Sequence, residues 1–232
     1  MSPPAPRGSG RMFDGIARRY DALNLLASGG LDRRWRRRTV RALALAPSDR
    51  LLDLATGTAD VAILAARLVP GLSVFGVDPA SGMLAQGARK AAAGGVKVAL
   101  VAGDGQALPF PDATFDGVSI AFGIRNVPDR PRALAEMCRV LKPGGRLAVL
   151  ELATPRGRFF GALARLHVNK VVPKLGAWLS RGDDYQYLAE SIARFPPREE
   201  FVQTIGAAGF EDARAVPFSF GACVLFTARR PA

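Results

Sequence analysis

Cysteine and histidine are nearly missing from this sequence: Cys138, Cys223 and His167 are the only ones in 232 residues. The two cysteines form no CxxC pair and neighbour no histidine cluster, which argues against a zinc site or a disulfide scaffold and for a reducing compartment. Long apolar runs are missing too. No stretch reaches the ~18 residues of a membrane span, and the opening MSPPAPRGSG lacks the apolar core of a secretory signal. Repeats at solenoid period are absent as well. These absences predict a soluble, cytoplasmic protein, at most peripheral to the inner face of the cell membrane.

What is present is an ordinary globular mixture, 49% hydrophobic and 22% charged, long enough for one well-packed domain. Residues 1–10 read as a disordered tail and residues 11–232 as a single domain. Its formal net charge of +12 is densest in LDRRWRRRTVR, which holds Arg33, Arg34, Arg36, Arg37, Arg38 and Arg41. Such a face attracts anions. Anionic lipid headgroups fit it. Nucleic acid is the weaker partner, because only Trp35 offers stacking and no nucleic-acid module surrounds it. A merely solvated arginine face accounts for it equally well, and a homo-oligomer is left open.

Hydrophobic periodicity sets the architecture. Met12, Ile16, Ala17, Tyr20, Leu23 and Leu26, then Trp35, Val40 and Leu43, recur at helical spacing and predict an N-terminal helical cap over residues 11–46. From Arg50 onward, short apolar runs alternate with amphipathic segments: LLDLA, VAILAARL, SVFGVD, SGMLAQGARKAA, VKVALVAGD, FDGVSIAF and PRALAEMCRVL, with RLAVLEL following a KPGG turn. This is the βαβ rhythm of an open parallel sheet. Residues 155–195 interrupt it as an insertion over one end of the sheet. FPPREEFVQTIGAAGF then predicts a last helix, and FEDARAVPF with FGACVLFTARR an antiparallel hairpin. The expected fold is α/β: a Rossmann-like, seven-stranded, mostly parallel sheet closed by that hairpin.

Ligands of such sheets bind at the carboxyl ends of the strands. There the sequence places the turn Ala55-Thr56-Gly57-Thr58-Ala59-Asp60, whose backbone N–H groups and following helix N-terminus can approach a ligand. Asp78 ends the second strand, where a carboxylate can accept from both hydroxyls of a ribose. Gly103-Asp104-Gly105 follows the third, where a second acid can accept from an exocyclic amine. Together they describe a nucleoside pocket for NAD or S-adenosylmethionine. The absence of GxGxxG order, which a pyrophosphate needs, favours the sulfonium cofactor.

Five segments go further: MFDGIARRYDALNLLASGGLDRRWRR, LDLATGTAD, LPFPDATFDGVSIAFGIRNVPD, RVLKPGGRLAVLEL and YQYLAESIARFP with its later AAGF. From Met12 to Arg229 the chain resembles the C-methyltransferases of menaquinone and ubiquinone biosynthesis, a family of class I S-adenosylmethionine-dependent methyltransferases. The resemblance implies C-methylation of a polyprenyl hydroquinone, demethylmenaquinol foremost, with a ubiquinone-pathway methoxybenzoquinol or another phenolic acceptor as alternative and cofactor binding without turnover as a third reading. It implies a cofactor site of Gly57, Thr58, Asp78, Asp104, Gly105 and Ala121, and no metal. Arg125 is the candidate stabiliser of a developing phenolate, Asn126 a donor to the second ring oxygen, and Tyr20, Asp21 and Asn24 belong to a helix covering the site. Tyr185 and Tyr187 are candidates for the quinone entry, and Phe159, Phe160, Leu163, Val171, Val172 and Trp178 for a tail groove. His167 has no partner acid at readable spacing. Three positions depart from the family pattern: Ala59 replaces a glycine, predicting a left-handed alanine whose methyl crowds the methionine moiety; Ala121 replaces a serine; Asp32 replaces a histidine.

Overall fold

In the chain, short Val/Leu/Ile-rich runs alternate with helices, and the central runs are buried on both faces, as a parallel sheet covered on both sides requires. The computed structural model describes residues 28–154 and 190–232. Its strands are β1 (Arg50–Leu54), β2 (Ser73–Asp78), β3 (Ala99–Ala102), β4 (Phe115–Ala121), β5 (Leu141–Leu152), β6 (Glu211–Phe218) and β7 (Cys223–Arg229). They form one seven-stranded sheet in the order β3-β2-β1-β4-β5-β7-β6. β3 to β5 run parallel, β7 lies antiparallel between β5 and β6, and the order reverses between β1 and β4.

The helices are α1 (Leu31–Ala42), α2 (Asp60–Leu68), α3 (Ser81–Ala93), α4 (Arg130–Val140) and α5 (Arg198–Ala207). Alternation along the strands splits the core into two layers. Leu51, Val74, Leu150 and Leu225 pack with Trp35 and Val40 of α1 and Val61 and Ala65 of α2. Their neighbours Leu52, Val149, Val224 and Phe226 pack with Leu134 and Met137 of α4 and Phe201 and Ile205 of α5. α1 buries Trp35, Arg36, Thr39 and Val40 and leaves Arg33, Arg34, Arg37, Arg38 and Arg41 exposed, a one-sided pattern at helical spacing. α4 starts on Asp129, whose side chain accepts from Arg132 N and so caps an orphan donor. Among the described residues no helix is long and apolar enough to cross a membrane.

One expected boundary is corrected. KPGG does not precede the fifth strand but lies inside it, because β5 already pairs at Leu141 with Phe115 and resumes at Arg146 opposite Gly117. The surplus residues form a bulge. Gly144 takes φ +74°, and a Cβ on Gly145 would sit 2.8 Å from the Lys142 carbonyl oxygen. Lys142 Nζ fastens the bulge to Asp116 at 2.7 Å. The first expected helix and most of the 155–195 insertion lie outside the described residues.

Candidate active site

The turn after β1 is built from left-handed residues: Ala55 (φ +49°), Gly57 (φ +55°) and Ala59 (φ +63°). For each alanine that conformation costs about 1–2 kcal/mol, so the surroundings have to hold it. Thr56 N donates to Val77 O at 3.1 Å and Ala59 N to Thr56 O at 2.8 Å. Gly57 N donates to Asp78 Oδ2 at 2.8 Å, and Ala80 N to Asp78 Oδ1 at 2.8 Å. Asp78 thus ties the end of β2 to the turn. Among the described residues a Cβ built on Gly57 meets nothing within 4 Å, so this backbone lies open to them beside a carboxylate, a cradle that fits a nucleoside-bearing cofactor.

Below the turn sits Asp53, which the sequence reading overlooked. It is 2% exposed; its Oδ2 accepts from Thr56 Oγ1 at 2.7 Å and its Oδ1 from Ser119 Oγ at 2.7 Å. Burial pushes its pKa from 3.8 up to about 6, against the opposing pull of those two hydroxyls. The signal was an acid in the middle of the apolar run LLDLA.

Thr58 is buried, and its Oγ1 accepts from Lys90 Nζ of α3 at 3.0 Å. Lys90 also pairs with Asp60 Oδ1 at 2.5 Å, and Asp60 Oδ2 with Arg36 of α1 at 3.0 Å. Asp32 is buried, accepts from Ser28 Oγ at 3.0 Å and lies 3.4 Å from Arg36 Nε, an atom that makes no hydrogen bond there. Ala59 takes the expected left-handed conformation and is fully buried. It packs toward α3, where a Cβ on Gly87 would come within 3.0 Å of it. Asp104 is exposed and accepts from Gln106 N at 2.9 Å. Gly105 backs onto Leu54, which an added Cβ would approach to 3.0 Å.

After β4, whose last residue is the half-buried Ala121, Phe122 turns left-handed (φ +58°) and Ile124–Asn126 form one 3-10 turn. Arg125 is 8% exposed and Glu151, near the end of β5, is 0% exposed. Arg125 Nη1 donates to Glu151 Oε1 at 2.8 Å and to Phe122 O at 2.5 Å, its backbone N to Glu151 Oε2 at 3.1 Å, and its Nε to Ser191 Oγ at 3.3 Å. Two segments far apart in sequence, FGIRN and YLAESI, therefore meet in one cluster. Glu151 was legible only as an acid inside the apolar run LAVLEL. Asn126 is half-buried beside them. Tyr20, Asp21, Asn24, Tyr185, Tyr187, His167 and the tail-groove residues lie outside the described residues. Among the described residues no three His, Cys, Asp or Glu side chains gather as metal ligands.

Comparisons with known proteins bear on family and fold. The model of the ubiE/COQ5 methyltransferase family matches residues 7–230. A demethylmenaquinone methyltransferase of Thermus thermophilus is 47% identical over 222 residues, covering 95% of this chain and 100% of the relative. The ubiquinone/menaquinone biosynthesis C-methyltransferase UbiE of Geobacter sulfurreducens is 44% identical over 222 residues, covering 94% and 87%. Among solved structures, the [4+2]-cyclase SpnF superposes with a TM-score of 0.72 at 21% identity, covering 99% of this chain and 98% of that one. A SAM-dependent methyltransferase of Aquifex aeolicus gives 0.62 at 18%, covering 84% and 88%. At such identities these two carry the fold, and the sequence relatives carry the assignment: the chain belongs to the ubiE/COQ5 methyltransferase family.

Proposed function

We propose that this protein C-methylates a polyprenyl hydroquinone, converting demethylmenaquinol to menaquinol, with S-adenosylmethionine as methyl donor. The observation that carries the proposal is the adjacency of two built sites at one sheet edge. The open Gly57–Asp78 cradle ends β1 and β2, and the Arg125–Glu151–Ser191 cluster ends β4 and β5, with β4 beside β1. Relatives named for this reaction supply the acceptor class.

Gly57, Thr58, Asp78, Asp104 and Gly105 would hold the cofactor, with Ala121 at its rim. When bound, the cofactor supplies an electrophilic methyl group on a sulfonium: the carbon–sulfur bond breaks as the bond to the ring carbon forms, and the ring gives up one proton. The protein's share is alignment, exclusion of water and stabilisation of the phenolate that makes the ring carbon nucleophilic. Arg125 serves the phenolate. A guanidinium cannot act as a base but favours the ionised hydroxyl, and Glu151 with Ser191 fixes its direction. Asn126 donates to the second ring oxygen, and the family resemblance adds Tyr20 and Asp21 as further acceptor-side candidates. A prenyl tail keeps the acceptor in a bilayer. The exposed Arg33, Arg34, Arg37, Arg38 and Arg41 of α1 suit a peripheral contact with anionic headgroups, each worth about 1 kcal/mol near such a surface.

The test incubates purified protein with S-adenosylmethionine and chemically reduced demethylmenaquinone, with the ubiquinone-pathway precursor in a parallel tube, and reads products by mass spectrometry. A product heavier by one CH2 from demethylmenaquinol, lost in Asp78→Ala, is expected. Product only from the other acceptor would move the reaction to ubiquinone. Cofactor binding without product from either would overturn the enzymatic reading.

A further inference from the structure

Ala59 is fully buried and left-handed (φ +63°, ψ +26°) at the start of α2, in a chain position where alanine pays for a shape glycine takes freely. Its two neighbours share one partner. Lys90 Nζ reaches Thr58 Oγ1 at 3.0 Å on one side and Asp60 Oδ1 at 2.5 Å on the other. We propose that Lys90 clamps the turn after β1 by bridging the residues that flank Ala59, and so acts as a positioning residue for cofactor binding at Gly57; this rests on the cofactor reading above.

The placement has a simple origin. Gly87 and Lys90 are one turn apart on α3 and share a face. Gly87 makes room for the Ala59 methyl, and Lys90, with three donors on a long stem, spans from Thr58 to Asp60. Opposite Lys90, Asp60 Oδ2 is held at 3.0 Å by Arg36, a buried residue of α1. The Thr58–Asp60 stretch is therefore pinned from both α3 and α1. The Lys90 side chain is partly exposed, 26%, so its contribution to global stability is small. Its local contribution, across one strained residue, is what the clamp uses.

The experiment measures S-adenosylmethionine affinity by calorimetry, and hydrogen exchange of the Gly57 and Ala59 amides without cofactor, in wild type, Lys90→Met, Ala59→Gly and the double variant. Lys90→Met is expected to weaken binding about tenfold, the factor about 1.4 kcal/mol gives, to raise KM for the cofactor more than it lowers kcat, and to speed exchange at both amides. In the Ala59→Gly background the same lysine change is expected to cost no more than about twofold, because glycine holds the turn unaided. Equal losses in both backgrounds would overturn the clamp and make Lys90 a direct contact or a general stabiliser. Unchanged affinity and exchange in Lys90→Met would overturn it as well. A wild type without affinity for S-adenosylmethionine overturns the cofactor reading instead, and the exchange of the two amides still decides the clamp.

Discussion

The two halves of the sheet's carboxyl edge both hold a cation against a carboxylate, but in different surroundings. On the β4–β5 side, the Arg125 and Glu151 side chains are 6% and 0% exposed. On the β1–β2 side, Lys90 and Asp60 are 26% and 28% exposed. A pair out of water gains little net stability by existing, yet loses much when one member goes, because the other is left as an uncompensated buried charge. A pair in partial contact with water is worth less and weakens with salt. The β4–β5 cluster is thus held by burial, whereas the turn after β1 is held by partly exposed contacts that act over a few residues. Asp53 lies at the seam, bound to Thr56 of the turn and Ser119 of β4.

The contrast breaks most visibly at Glu151. Glu151→Ala should lose about 3–5 kcal/mol of unfolding free energy in urea, since Arg125 is then buried without its carboxylate; a loss below about 1 kcal/mol would erase the distinction between the halves. Next comes Asp53. Its folded-state pKa, about 6, exceeds the ordinary carboxyl value of 3.8, so the native state binds the extra proton and stability falls as pH rises between those values, then levels off. Urea titrations at pH 4 and pH 7 should show wild type losing about 2 kcal/mol more across that interval than Asp53→Asn; parallel profiles would mean the carboxyl is not neutralised by burial. Ser191→Ala removes one hydrogen bond to Arg125 and should cost about 1 kcal/mol, with a larger fall in kcat if the guanidinium's direction matters for the ring. The smallest effect belongs to Lys90→Met, less than about 1 kcal/mol of stability, shrinking as salt is raised in thermal melts.

Much of this edge was readable beforehand because it follows from local pattern. Apolar runs bounded by Gly57, Asp78 and Gly103-Asp104-Gly105 gave the strands and their carboxyl edge, and Ala59 announced a left-handed alanine. What escaped depends on contacts between distant segments. Lys90 meets Thr58 and Asp60 across 32 and 30 residues, and Arg125 meets Ser191 across 66; no periodicity encodes such pairings. The direction of the Ala59 methyl also needed Gly87 beside it. Asp53 and Glu151 were legible in principle: an acid inside a run buried on both faces has to find donors. KPGG reads as a turn by composition, yet pairing of Leu141 with Phe115 draws it into β5.

One feature of the topology bears on how the chain is made. β7 follows every other strand in chain order but lies between β5 and β6, so β5 cannot be covered on that side until Arg229 has left the ribosome. At about 5–20 residues per second, the stretch from Leu152 to Arg229 takes seconds to emerge. Throughout that interval Leu147, Val149 and Leu150 border an unpaired edge, a template for pairing with another nascent chain. Completion of the sheet is therefore a late event of synthesis, and the edge is sealed by a strand that enters sideways.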